Sequence, residues 1–257
     1  MTHTDRPCHI ITLKRREDRR REFLRLNQGK ADFVFVEAVD GADLSREAME
    51  SDGLLAPRTQ YVTQGALGCA LSHRQLWEQC LDEAEPTYIF EDDACLAPGF
   101  MAQAAAALDQ AGDVDILYFG YNLDQSLALY LAGDLVAMMK VSDSVVRGDG
   151  WLDRFAGSGG IAPGSVAVMR PLLLWGLLAY AITPSGAAKL LSQGFPLRNH
   201  DLSLPGGKGM SRGIDGSVLA LIQQGAVKAA CCFPPIVIGP NLDSDTEGGR
   251  KKPGDGP

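Results

Sequence analysis

The sequence predicts an α/β domain built on a mixed, mostly parallel sheet with helices on both faces. Two observations carry that prediction. Short apolar runs rich in β-branched and aromatic residues alternate with helical segments, β-α-β-α-β-α-β, over the first half of the chain. At 257 residues, 46% hydrophobic and 22% charged, the chain has the composition of an ordinary soluble protein and can bury a sizeable core.

The elements follow in order. His9 to Leu13 reads as a buried first strand. A basic segment comes next, with Lys14, Arg15, Arg16, Arg19, Arg20, Arg21 and Arg25 interrupted by acids. Glu17 to Asn27 has helical composition, with Phe23, Leu24 and Leu26 as its apolar side and Gly29 as a stop. Arginines at the start of a helix after a first strand are placed to meet phosphate oxygens, or to form a salt-laced solvent face. Phe33 to Val39 is a second strand closed by Asp40-Gly41. Asp40 sits where an acidic residue of an open α/β sheet meets a ribose hydroxyl, and a plain Asp-Gly turn would look the same. Ser45 to Tyr61 holds a short helix.

Thr63 is an N-cap for a helix running to Leu81. Cys69, His73, Leu76 and Cys80 share one face of it, so His73 is expected to be buried. Gly65 and Gly68 weaken a helix, which suits close backbone approach near its start. Pro98 is a good first residue for an alanine-rich helix ending at Gly112, and Asp115 to Gly120 is a further strand. Leu127 to Val146 holds one or two antiparallel strands, and the glycine-rich Arg147 to Gly164 suits a mobile loop. Tyr180 to Thr183 is a strand feeding the helix from Pro184. Phe195 to Gly213 reads as a loop carrying His200 and a glycine-lysine cluster that lacks P-loop spacing. Ile214-Asp215-Gly216 opens a helix to Gln224, Val227 to Ile238 is a closing apolar segment, and residues 241–257 are too polar to pack.

The chemistry concentrates in Thr87 to Asp93, an apolar aromatic run ending in Glu91, Asp92 and Asp93. Alternation along a strand would put Glu91 and Asp93 on one side and Asp92 on the other. Three adjacent carboxylates repel, and a hard divalent cation completed by a diphosphate resolves that repulsion. A solvated acidic turn is the other reading of the same residues.

The formal net charge of −8 argues against non-specific binding to nucleic acid or to an anionic membrane surface. The six cysteines show no metal-like spacing, and the polar opening Thr2 to Pro7 lacks the apolar region of a secretory signal, so free thiols in a reducing cytoplasm are expected. The apolar stretch Val166 to Thr183 is broken by Arg170 and Pro171 and is too interrupted to span a bilayer.

Gly65-Ala66-Leu67-Gly68-Cys69-Ala70-Leu71-Ser72-His73 with Trp77, followed by Phe90-Glu91-Asp92-Asp93, resembles glycosyltransferase family 25, which includes lipooligosaccharide and collagen galactosyltransferases. Ile10 to Leu13 with Arg19-Arg20, Tyr180 to Thr183 with Gly186-Ala187, and Asp215 with Pro234-Pro235 are similar to the family's further motifs in the same order. Many members carry an acidic residue where this chain has Ala66.

The resemblance implies a GT-A-type fold, a Rossmann-like nucleotide-sugar-binding sandwich. It further implies one glycosyltransferase domain over residues 1–240, with 9–125 as the nucleotide-binding half and 126–240 as the acceptor side. The expected reaction moves a hexose, galactose or glucose, from a UDP-sugar to a hydroxyl of a saccharide or lipid-linked saccharide of the cell surface, with inversion. Under it Asp93, with Glu91, holds Mn²⁺ or Mg²⁺, and Asp215 is the candidate base. Arg19, Arg20, Asp40, His73, Glu91 and Asp92 contact the nucleotide sugar, and His200 is a weaker candidate metal ligand. Such a protein would work in the cytoplasm, with at most peripheral membrane association and no nucleic-acid partner. A nucleotide-sugar-binding protein without transfer, or transfer to a peptide, small molecule or modified nucleobase, are the alternatives.

Overall fold

A computed structural model describes residues 6–60, 63–140, 150–157 and 165–240. In chain order the elements are β1 (Cys8–Thr12), α1 (Glu17–Asn27), β2 (Phe33–Glu37), α2 (Arg46–Ser51), α3 (Gln64–Cys80), β3 (Thr87–Glu91), β4 (Cys95–Leu96), α4 (Phe100–Ala111), β5 (Ile116–Gly120), β6 (Ser126–Ala132), β7 (Leu135–Lys140) and α5 (Trp151–Ala156). They continue with β8 (Ala167–Leu173), β9 (Ala179–Ile182), α6 (Pro184–Gly194), β10 (Asp201–Leu204), β11 (Gly207–Met210), α7 (Ile214–Gln223), β12 (Ala229–Phe233) and β13 (Val237–Ile238).

A nine-stranded sheet, ordered β2-β1-β3-β9-β5-β12-β8-β6-β7, forms the body. β1 pairs in parallel with β2 and β3, and β12 with β5. β9, β8 and β7 run against the rest, so the sheet is mixed but less parallel than the sequence predicts. The reason is the chain path. After β5 it runs through β6, β7 and β8 at one edge before β9 re-enters antiparallel between β3 and β5. Strand order in sequence carries no mark of such an insertion. Strands from beyond residue 126 thus complete a sheet begun before it.

Helices cover both faces, as expected. Alternation along β3 decides which residue meets which layer. Tyr88 and Phe90 pack with Phe23 of α1 and with Phe100 and Ala104 of α4. Ile89 faces the opposite layer, where Leu76 and Trp77 of α3, Leu190 of α6 and Val218 of α7 lie. Phe100 meets Phe90 and Phe119 edge-on, with ring centroids 5.5 and 5.3 Å apart, a geometry worth about 0.5–1.5 kcal/mol per pair beyond area burial.

Local signals explain most boundaries. Thr63 accepts from the Ala66 N–H at 3.1 Å and starts α3. Thr183 accepts from Gly186 N–H, with Pro184 as the first residue of α6. Gly68 lets α3 press on the chain after β2, since a Cβ there would stand 2.5 Å from the Val39 carbonyl oxygen. Pro98 is not the first residue of α4. Gly99 intervenes in the left-handed region at φ 67° and caps the helix instead.

Two further expectations change. Phe195 to Gly213 is not a plain loop, because β10 and β11 form a hairpin turned by Pro205-Gly206, with Gly206 at φ 89°. The glycine-lysine cluster belongs to that hairpin. Within Arg147 to Gly164, residues 150–157 contain helix α5, whose Asp153 pairs with Arg25 of α1. The rest of that segment, like the tail at 241–257, lies outside the described residues. All six cysteines are free thiols. Among the described residues no helix is long and apolar enough to cross a membrane.

Candidate active site

At the ends of β1, β2 and β3 the chain opens a cavity of about 640 Å³, within the usual range for small-ligand pockets. β1 leads to Arg15 and Arg19, β2 to Asp40, β3 to the three carboxylates, and α3 and α7 bring His73 and Asp215. Of the residues singled out by sequence, Arg19, Asp40, His73, Glu91, Asp92, Asp93 and Asp215 all line it. Arg20 does not line it. Its guanidinium lies over the Phe35 ring, 5.1 Å from the centroid, on the far side of the first turn of α1. His200 is likewise outside the cavity lining, at the foot of the β10–β11 hairpin, where its backbone N–H donates to Ser211 Oγ.

The acidic corner differs from its strand-based expectation. β3 ends at Glu91, and Ala94 N–H closes a turn back onto the Glu91 carbonyl at 3.1 Å. Alternation stops there, so Glu91 and Asp93 do not share a side as every second position of a continuing strand would. Glu91 turns toward α3, with Oε1 3.7 Å from His73 Nε2. Asp92 and Asp93 both turn toward α1, where Arg19 donates to Asp92 Oδ1 at 2.6 Å and reaches Asp93 Oδ2 at 3.5 Å. Asp92 is buried, which raises its pKa against the pull of Arg19. Asp93 is raised further, first by burial and then by the neighbouring Glu91 charge, with Arg19 opposing. Among the described residues its Oδ1 is buried without a hydrogen-bond partner.

That orphaned oxygen is the test of whether a cation fits. A carboxylate kept short of positive charge beside a second carboxylate is a donor set for a hard divalent ion. A second donor set overlaps it, because Cys69 Sγ, His73 and Glu91 offer ligand atoms within 4.8 Å of one another. Without an ion, burial and the Glu91 and Asp215 carboxylates push the Cys69 thiol well above its ordinary value.

Asp215 is in the first turn of α7, two residues after Gly213 in the capping position. Its Oδ1 accepts from Gly216 N–H at 2.7 Å and Oδ2 from Gly176 N–H at 3.3 Å. Burial nonetheless raises its pKa. Asp40 has both of its expected roles open to it: Oδ1 accepts from Ala42 N–H at 3.0 Å in a turn, Oδ2 pairs with Arg15, and the residue lines the cavity.

His73 is completely buried and sits in a polar chain through the core of α3 and β9. Trp77 Nε1–H donates to Tyr180 Oη at 2.8 Å, and Tyr180 Oη lies 2.8 Å from His73 Nδ1. Among the described residues His73 Nε2 has no hydrogen-bond partner, and it faces Glu91 at the cavity wall. Sequence reading missed the opposite wall: Asn122, Trp175, Gly176, Met210 and Arg212. Trp175 was visible only as an isolated aromatic in an apolar run, and the others carry no motif.

Residues 5–146 match the family described as glycosyltransferase family 25 (LPS biosynthesis protein). Procollagen galactosyltransferase 2 of Homo sapiens is 34% identical over 124 residues, 43% of this chain and 20% of that protein. A glycosyltransferase 25 family member of Aedes aegypti is 33% identical over 124 residues, 44% of this chain and 20% of the relative. A probable inactive glycosyltransferase 25 family member 3 of Bos taurus is 30% identical over 124 residues, 43% of this chain and 21% of the relative. The chain thus spans about a fifth of the length of these relatives.

Proposed function

The chain belongs to glycosyltransferase family 25, and from that membership we propose that it transfers a hexose from a UDP-sugar to a hydroxyl of a cell-surface glycan, with inversion. Galactose is the sugar named by the procollagen relatives, and the family description names LPS biosynthesis. The single observation that carries the reading is the convergence of Arg19, Asp40, His73, the Glu91–Asp93 corner and Asp215, from distant parts of the chain, on one cavity.

Asp93 with Glu91 would hold Mn²⁺ or Mg²⁺, which when bound supplies Lewis-acid stabilisation of the departing diphosphate. Arg15 and Arg19 add fixed positive charge at the same end of the cavity, where charge develops as the bond from sugar C1 to the diphosphate oxygen breaks. Asp40 is placed to meet ribose, and Asp92 holds Arg19 in position. On the acceptor side Asp215 takes the proton of the attacking hydroxyl while that oxygen bonds to C1. A carboxylate whose pKa burial has raised is a stronger base than a solvated one. Trp175 and Met210 form the apolar part of that wall and would receive the acceptor. Such an enzyme would work at the cytoplasmic face of a membrane.

One observation favours a second reading, nucleotide-sugar binding without transfer. Ala66 lines the cavity at a position where many family members carry an acidic residue. A single experiment separates the two: UDP release from a panel of UDP-hexoses with Mn²⁺, with and without EDTA. Transfer predicts EDTA-sensitive release with one sugar preferred. Calorimetric binding without release on any acceptor would favour the second reading, and neither binding nor release would overturn both.

A further inference from the structure

Trp77, Tyr180 and His73 connect the interior to the cavity wall by two contacts of 2.8 Å each. The direction of the first is fixed, because the indole nitrogen only donates. Tyr180 Oη therefore accepts from Trp77, and its own proton needs an acceptor. His73 Nδ1 is the acceptor within reach among the described residues. The reverse arrangement, with Nδ1–H donating to Tyr180, would leave a buried hydroxyl proton without a partner, and such groups are disfavoured. With Nδ1 accepting, the ring carries its own proton on Nε2. That N–H lacks a partner in a fully buried ring and lies 3.7 Å from Glu91 Oε1, too far for a direct hydrogen bond.

A donor and an acceptor side by side at a cavity wall, each unsatisfied by the other, match a group that both accepts and donates. A hydroxyl is such a group. We propose that His73 Nε2–H and the Glu91 oxygen facing it, Oε1, together read one hydroxyl of the transferred hexose, leaving the other Glu91 oxygen to the cation, and that Trp77 and Tyr180 act as positioning residues that keep the His73 proton on the cavity side. The inference rests on the nucleotide-sugar reading of the cavity, and it turns the buried histidine into a determinant of which sugar is accepted. It also separates this wall from a soft-metal site on Cys69, His73 and Glu91, since a metal would need the Nε2 lone pair that the proton occupies.

Two measurements on the full chain test it. The first is the ¹⁵N spectrum of histidine-labelled protein, in which His73 should show a protonated Nε2 and an accepting Nδ1. Tyr180→Phe should abolish that preference while the remaining histidines keep their shifts. The second is calorimetric binding of UDP-hexoses deoxygenated one hydroxyl at a time. One analogue should bind wild type about tenfold more weakly than its parent, and that difference should vanish in a folded His73→Phe variant and largely persist in His73→Gln, which retains an N–H donor. A proton on Nδ1 in wild type overturns the proposal. So do deoxygenation losses that are equal in wild type and His73→Phe, or equal at every hydroxyl in wild type alone, which needs no variant to fold. If wild type binds UDP-hexoses but shows those patterns, only this inference fails. If it binds none, the donor reading fails with it.

Discussion

Two carboxylates at opposite ends of the sheet, Asp115 buried and Asp93 half-buried with one oxygen enclosed, show how differently the molecule treats the same charge. Asp115, just before β5, is 4% exposed and saturated with partners. Lys189 Nζ donates to its two oxygens at 2.8 and 2.6 Å, the Lys228 backbone N–H at 2.7 Å, and Ser185 at 3.5 Å. Asp93, just after β3, has a long contact to Arg19 and one oxygen with no partner among the described residues. A buried charge with full compensation ties α6 and β12 to the sheet. One left short of positive charge, with its pKa raised to about 7, is open to a proton, a cation or a ligand and marks the candidate site.

The sharpest way to break the comparison is at the saturated end. Asp115→Ala leaves the half-exposed Lys189 ammonium and the Lys228 N–H without their acceptor, and losing the partner of such hydrogen-bonded groups costs about 1–3 kcal/mol. Denaturant unfolding should show a loss of that size with nucleotide-sugar affinity unchanged in the folded fraction. A loss below about 1 kcal/mol would mean that Asp115 is no more structural than an exposed ion pair.

The second prediction sharpens the other end through pH. Burial raises the Asp215 pKa despite two backbone N–H donors, so the folded protein favours its protonated form. Its contribution to stability is therefore most favourable below the ordinary value near ~4 and is lost as pH rises through the higher folded value. Catalysis runs the other way, because a base must be ionised. The rate should fall about tenfold per pH unit on an acid limb lying above the usual carboxylate range, and that limb should disappear in Asp215→Asn. An acid limb at the ordinary value would remove Asp215 from the role of base.

The same contrast accounts for what was readable in the amino-acid order. Glu17–Asn27, the Thr63 cap, the Thr183-Pro184 start and the Gly112 stop are local, set by side chains a few residues apart, and they appear where the sequence predicts them. The acidic corner was also legible as composition, but its geometry was not. Glu91 parts from Asp93 because the strand ends two residues earlier than alternation assumes. The antiparallel entry of β9, the β10–β11 hairpin and the second cavity wall depend on contacts between distant segments. His73 meets Tyr180 across 107 residues, and Gly176 meets Asp215 across 39. Arg20 neighbours Arg19 in sequence, yet neighbouring helical positions point about 100° apart, and of the two only Arg19 turns to the carboxylates.

The claim beneath the whole account is that the under-compensated Asp93 end of β3 binds a divalent cation with a nucleoside diphosphate. Titration of Mn²⁺ in the presence of UDP, followed by water-proton relaxation for wild type and Asp93→Asn side by side, tests it most directly. The account predicts saturable, UDP-dependent binding to wild type, weakened tenfold or more in Asp93→Asn with no loss of thermal stability. Equal Mn²⁺ affinity in the two proteins would contradict it.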